Sequence, residues 1–127
     1  MNRMAGSTDE QKSKEYSRLA YRSLIFGELE SAFMDIKQAL LYQPTYANYY
    51  NAGMIAFRMG RKSESIQLLN QALAINNTDK ALTLLATIQE NMVNGESSGQ
   101  VLANADKTEG TARAEKVGSD FSWEEEK

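Results

Sequence analysis

A chain of 127 residues with 42% hydrophobic side chains and a net charge of −3 has room for one domain. It holds no cysteine and no histidine, which excludes disulfides, thiolate or imidazole metal sites, and Cys-His or Ser-His-Asp catalysis. Residues 1–94 carry ten Lys/Arg against nine Asp/Glu and residues 95–127 carry four against eight, so neither part has the dense basic face that binds phosphate backbones, and nucleic acid is not an expected partner.

Residues 1–11 are polar, lack the apolar run of a signal peptide and read as a flexible terminus ahead of a helical domain at 12–94. Ser7, Thr8 and Asp9 are N-cap residues, with Glu10 and Gln11 behind them. A helical pattern follows in Tyr16, Leu19, Ala20, Ser23 and Leu24, and Gly27 closes it as glycine does just past a helix end. A second helix spans about Leu29 to Tyr42, with Ala32, Phe33, Ile36, Ala39 and Leu40 on one face, and Pro44, the only proline, stops it. The third starts near Tyr46, carries Tyr49, Tyr50, Gly53, Met54, Ala56 and Phe57, and ends at Gly60. The fourth starts near Lys62, carries Ile66, Leu69, Leu73 and Ile75, and fades at Asn76-Asn77. Thr78 or Asp79 caps a fifth, which runs through Leu82, Leu85, Ala86 and Ile88 to about Val93, where Asn94-Gly95 ends it. No segment alternates like a strand, and no apolar run reaches the roughly 20 residues that span a bilayer. The expected class is all-α, a short α-solenoid of about five helices in antiparallel hairpins, in a soluble, cytoplasmic protein.

Residues 95–127 are Gly, Ser, Ala, Thr and charged residues with isolated Val101, Leu102 and Val117. So few apolar groups do not offset about 1–2 kcal/mol of backbone entropy per residue, and a disordered acidic tail is expected. Its end differs: Phe121 and Trp123, the latter the only tryptophan, adjoin an acidic run. This end reads either as part of a solubilising extension or as a docking motif. As a motif it would meet another protein or fold back on the chain's own surface near Arg18 and Arg58.

The two hairpins match at a shift of 33 residues. Tyr16 aligns with Tyr49, Ala20 with Gly53, Leu24 with Phe57, Gly27 with Gly60, Ile36 with Leu69, and Ala39-Leu40 with Ala72-Leu73. Small falls opposite small and large opposite large, as stacked repeats require. Ala20 and Gly53 would let each first helix lie close to its own second helix, and Ala39 and Ala72 would let each second helix approach the next first helix. A larger side chain there would cost on the order of 1–3 kcal/mol.

These residues resemble the tetratricopeptide repeat family. One unit is Tyr16, Leu19-Ala20, Gly27, Ala32, Ile36, Ala39 and Pro44; the other is Tyr49, Ala52-Gly53, Gly60, Ser65, Leu69 and Ala72, with Asn77 where Pro would sit. The resemblance covers about residues 13–78, and 79–93 look like a capping helix or a worn third first helix. The repeat is one residue shorter than the family's usual period of about 34. The resemblance implies a concave groove on the first helices of each hairpin, which takes a protein segment. By position that face holds Lys14, Ser17, Arg18, Tyr21 and Leu24, then Tyr50, Asn51, Met54, Phe57 and Arg58. Phe57 and Leu24 also read as core, and Tyr50 and Met54 serve either reading. The family's carboxylate clamp is not implied in full, because only Asn51 matches it.

The expected function is non-catalytic protein binding, as an adaptor or dedicated chaperone that takes a peptide or helix in this groove, with no cofactor and no metal. The alternative is a structural subunit that self-associates into homo-oligomers through its terminal helices. Catalysis would fall to Glu28, Glu30, Asp35 and Glu64, which are scattered at turns and helix surfaces and are better explained as solvated groups.

Overall fold

The computed structural model describes residues 8–92 and 122–125. Five helices follow one another: α1 (Asp9–Ile25), α2 (Leu29–Tyr42), α3 (Tyr46–Arg58), α4 (Lys62–Ile75) and α5 (79–92). There is no strand among the described residues. None of these helices is long and apolar enough to cross a membrane.

The helix boundaries follow from local chemistry. Thr8 and Gln11 close a capping box: the Thr8 hydroxyl accepts from the Gln11 N–H at 3.1 Å and the Gln11 side chain accepts from the Thr8 N–H at 3.0 Å. The helical body therefore begins at Asp9 and not at residue 12, which corrects the expected 1–11 terminus by three residues. Thr45 caps α3 through the Asn48 N–H, and Thr78 caps α5 through the Ala81 N–H. Gly27 and Gly60 close the hairpin turns at φ 78° and 85°, backbone that a side chain would strain.

α1 pairs with α2 and α3 with α4, and α2 packs against α3. Two apolar clusters result. One joins Ala20, Ala32, Phe33, Ile36 and Ala39 of the first hairpin to Ala52, Ile55 and Ala56 of α3. The other joins Tyr50, Met54 and Phe57 of α3 to Leu69 and Ala72 of α4 and to Ala81, Leu84 and Ile88 of α5. Helix α3 belongs to both and is buried almost all round: ten of its thirteen residues are buried, so it is the keel of the solenoid.

The small residues act where the repeat placed them. A Cβ on Gly53 would lie 2.9 Å from Leu69 Cγ, and the Gly53 carbonyl accepts from the Ser65 hydroxyl at 2.6 Å. Two effects oppose in Gly53→Ala. Helix propensity favours alanine by about 1 kcal/mol. Overpacking costs about 1–3 kcal/mol, and here the near atom is the branch point of a fully buried leucine rather than a flexible tip. The expected net loss is about 1 kcal/mol, read as a lower urea midpoint with unchanged slope; a higher midpoint would show that α3 and α4 have room to spare.

Candidate groove on the first helices

α1, α3 and α5, the first helices of successive units, all contribute to one surface, and residues 122–125 lie on it. Each helix supplies at least one contact. From α1, the Tyr21 ring meets the Trp123 ring at 5.3 Å between centroids, tilted by 51°. From α3, the Asn51 carboxamide bonds the backbone of Glu124 twice: its Nδ2 donates to the Glu124 carbonyl at 2.9 Å, and its Oδ1 accepts from the Glu124 N–H at 2.8 Å. From α5, Lys80 Nζ lies 3.1 Å from Glu124 Oε2 and donates to the Ser122 hydroxyl at 3.3 Å.

The chemistry of each contact is distinct. Trp123 is half-buried and packs against both apolar clusters, so it is an apolar anchor with one aromatic neighbour at its face. Asn51 is fully buried, and its paired donor and acceptor satisfy the backbone N–H and C=O of one residue, Glu124. Lys80 is mostly buried for a lysine, with its ammonium also 5.0 Å from the centre of the Tyr50 ring. The Lys80–Glu124 pair is still about a quarter exposed on each side, which keeps its contribution modest.

Tyr46 supports the carboxylate end. Its hydroxyl lies 2.8 Å from Thr78 Oγ1 and donates a long, 3.5 Å bond to Glu124 Oε2. Burial raises the Tyr46 phenol above its ordinary value; the Thr78 bond opposes this and the Glu124 charge adds to it. Burial likewise pushes the Tyr50 phenol far up, with Tyr46 and Glu124 adding to the shift. Both phenols are protonated near neutral pH, so Tyr46 is a donor to the Glu124 carboxylate.

The expected groove residues divide into four groups. Lys14, Ser17, Arg18 and Tyr21, together with Trp123 and Glu125 of the docked segment, line an open pocket of about 240 Å³. Asn51 holds the backbone of that segment. Tyr50, Met54 and Phe57 are 0%, 2% and 9% exposed and belong to the core cluster against which Trp123, Leu24 and α5 pack; of the two readings open for these residues the core one holds, and they form the floor beneath the segment and not an open lining. The reason is α5, which brings Ala81, Leu84 and Ile88 onto the same face of α3. Arg58, in the last turn of α3, is part-exposed and belongs to neither the cavity nor the bonds described here.

Residues 122–125 follow the second of the two readings of the tail's end: they lie on the chain's own surface beside Arg18, through the burial of Trp123 and the Asn51 pair; Phe121 lies outside the described residues. Lys80 and Tyr46 escaped the sequence reading. Lys80 had a signal, because it falls two repeat lengths of 33 beyond Lys14, on the helix that resembles a worn third unit. Among the described residues no three His, Cys, Asp or Glu side chains cluster where they could hold a metal ion. Compared with known proteins, the chain matches no family model, no curated protein and no solved structure.

Proposed function

We propose that this chain is a non-catalytic protein-binding module of tetratricopeptide type, an adaptor or dedicated chaperone whose groove on α1, α3 and α5 takes an extended segment of a partner protein. The observation that carries the reading is Asn51. A buried carboxamide that pairs with both the N–H and the C=O of one residue recognises peptide backbone as such, and only an extended chain presents the two groups side by side. Around it lie the elements that peptide grooves use: an aromatic wall (Tyr21), a preformed apolar floor (Tyr50, Met54, Phe57) and cations at the rim (Lys14, Arg18, Lys80).

Display of random peptides against the full chain carrying Trp123→Ala tests this. Selected peptides are expected to lose binding, by tenfold or more, when Asn51→Ala is added to a chain of unchanged helicity. Peptides that bind both chains equally, or no enrichment at all, would overturn the groove reading. The competing reading, a self-associating subunit, draws on exposed Leu19, Leu41, Ile75 and Leu82. It requires the sedimentation mass of the full chain to rise with concentration and to be insensitive to Trp123→Ala.

A further inference from the structure

Building on the groove reading, we infer that the partner's segment carries a tryptophan followed directly by an acidic residue, and that residues 122–125 are the chain's own copy of that ligand, which a partner must displace. The three contacts assign the two positions. The side chain at the Trp123 position enters the space between Tyr21 and the two apolar clusters. The peptide unit at the next position is fixed on Asn51, so the side chain that follows the tryptophan is the one delivered to Lys80 Nζ and the Tyr46 hydroxyl. Ser122 and Glu125 are exposed: the Ser122 hydroxyl accepts from the shared lysine, and Glu125 lines the pocket with Lys14 and Arg18. Charge complementarity runs the same way, since the groove offers Lys14, Arg18 and Lys80 to a segment with two consecutive glutamates.

The tether sets the strength of the competition. Twenty-nine residues, 93–121, separate the end of α5 from the docked segment. A segment joined to its groove by a chain of this many residues is presented to it at an effective concentration on the order of a millimolar. A peptide that binds the same groove from solution then has its intrinsic dissociation constant multiplied by one plus the ratio of this effective concentration to the tail's own constant, which for a peptide of the tail's affinity is its intrinsic constant plus the effective concentration. However tight the intrinsic binding, a peptide with the tail's own contacts appears no tighter than roughly millimolar to the intact chain. A natural partner therefore needs contacts that the tail lacks. The cavity of about 240 Å³ between Trp123 and Glu125, walled by Lys14, Ser17, Arg18 and Tyr21, is where a second acidic or aromatic group of the partner would gain them.

The test uses the full chain with Trp123→Ala, which contains no tryptophan, and a synthetic peptide with the sequence of residues 119–127, whose tryptophan then reports alone. Binding is expected to shift the peptide's emission to the blue. By competition, the peptide is expected to lose about thirtyfold or more with its tryptophan changed to alanine. It is expected to lose about three- to tenfold with the next glutamate changed to glutamine, and that part should shrink with added salt. The wild-type chain is expected to bind the labelled peptide at least about tenfold more weakly than the Trp123→Ala chain. Equal binding by the two chains would overturn the displacement. A scrambled peptide that binds as well would overturn the Trp-acidic requirement, while Asn51-dependent peptides from a random library would leave the groove reading intact. A wild-type chain that dimerises with concentration, against a monomeric Trp123→Ala chain, would show the tail passed between copies and would also overturn displacement in cis.

Discussion

Ile55→Ala is expected to cost about 3–5 kcal/mol, the upper part of the range for truncating a buried isoleucine. Ile55 is fully buried at the centre of α3, among Ala20, Ala32, Phe33, Ile36, Ala39, Ala52 and Ala56. Alanine neighbours mean that the helix backbones already lie close together. Five of the seven neighbours are alanines with no long side chain to swing into the space an alanine would leave, so most of the cavity persists and most of its penalty with it. A domain this small has a total stability on the order of 5–15 kcal/mol, so the variant loses a large part of it. The melting midpoint is expected to fall by about 15 °C or more. Leu41→Ala is the control: at 76% exposure it is expected to stay within about 0.5 kcal/mol of the parent. Similar losses from both substitutions would mean that the two hairpins do not share a core through α3.

The architecture was largely legible because its signals are local and repeated. Glycines at 27 and 60, the proline at 44 and the threonines at 8, 45 and 78 each fix a boundary through their own backbone preference or their own hydroxyl. The 33-residue register then marked the small positions that recur, and Gly53, aligned with Ala20, is where α3 comes close to Leu69 of α4. The register could not tell which apolar residues of α3 line a groove and which lie under it. Tyr50, Met54 and Phe57 sit at helical spacing on one face, and that face is open or covered according to whether α5 packs on it. α5 is a weak amphipathic helix whose burial depends on its partner, so its own sequence leaves the matter open.

The site was half legible for the same kind of reason. Asn51 stood out as a polar residue on an aromatic face, and Trp123 as the one large aromatic in a polar tail. That Asn51 bonds the residue after Trp123, 73 positions away, has no local signal, because closing a longer loop adds only slowly to the entropy cost and leaves no mark on composition. Buried Asn48, which donates to Ser13 and to the Gln43 carbonyl, shows the other use of a polar residue on α3: it ties the first hairpin to the second. Sequence alone assigns neither asparagine to its role. What separates them is that the partners of Asn48 lie within the helical domain and those of Asn51 lie on the tail.

That separation makes Asn51→Ala the sharpest single change in the site. Removing the carboxamide takes away two bonds to Glu124 and leaves its N–H and C=O unpaired beside a partly buried tryptophan. Each unpaired group costs about 1–3 kcal/mol, so the docked state of the segment is expected to lose about 2–4 kcal/mol, a factor of roughly 30 to 1,000. The Lys80–Glu124 pair and the Tyr21–Trp123 contact are too weak to offset this: a part-exposed ion pair contributes about 1 kcal/mol at most, and an aromatic pair about 0.5–1.5 kcal/mol. Because Trp123 is the only tryptophan, its emission reports the segment directly. In Asn51→Ala the emission is expected to move to the red and acrylamide quenching to approach that of a free peptide, with the far-ultraviolet helix signal unchanged. Asn51→Asp separates bonding from packing. It keeps the volume, still accepts from the Glu124 N–H, and turns a carboxylate oxygen towards the Glu124 carbonyl and its nearby side-chain charge. It is expected to undock the segment as fully as alanine does. Blue, quench-resistant emission in both variants would show that Trp123 is held without Asn51 and would remove the backbone pair from the site.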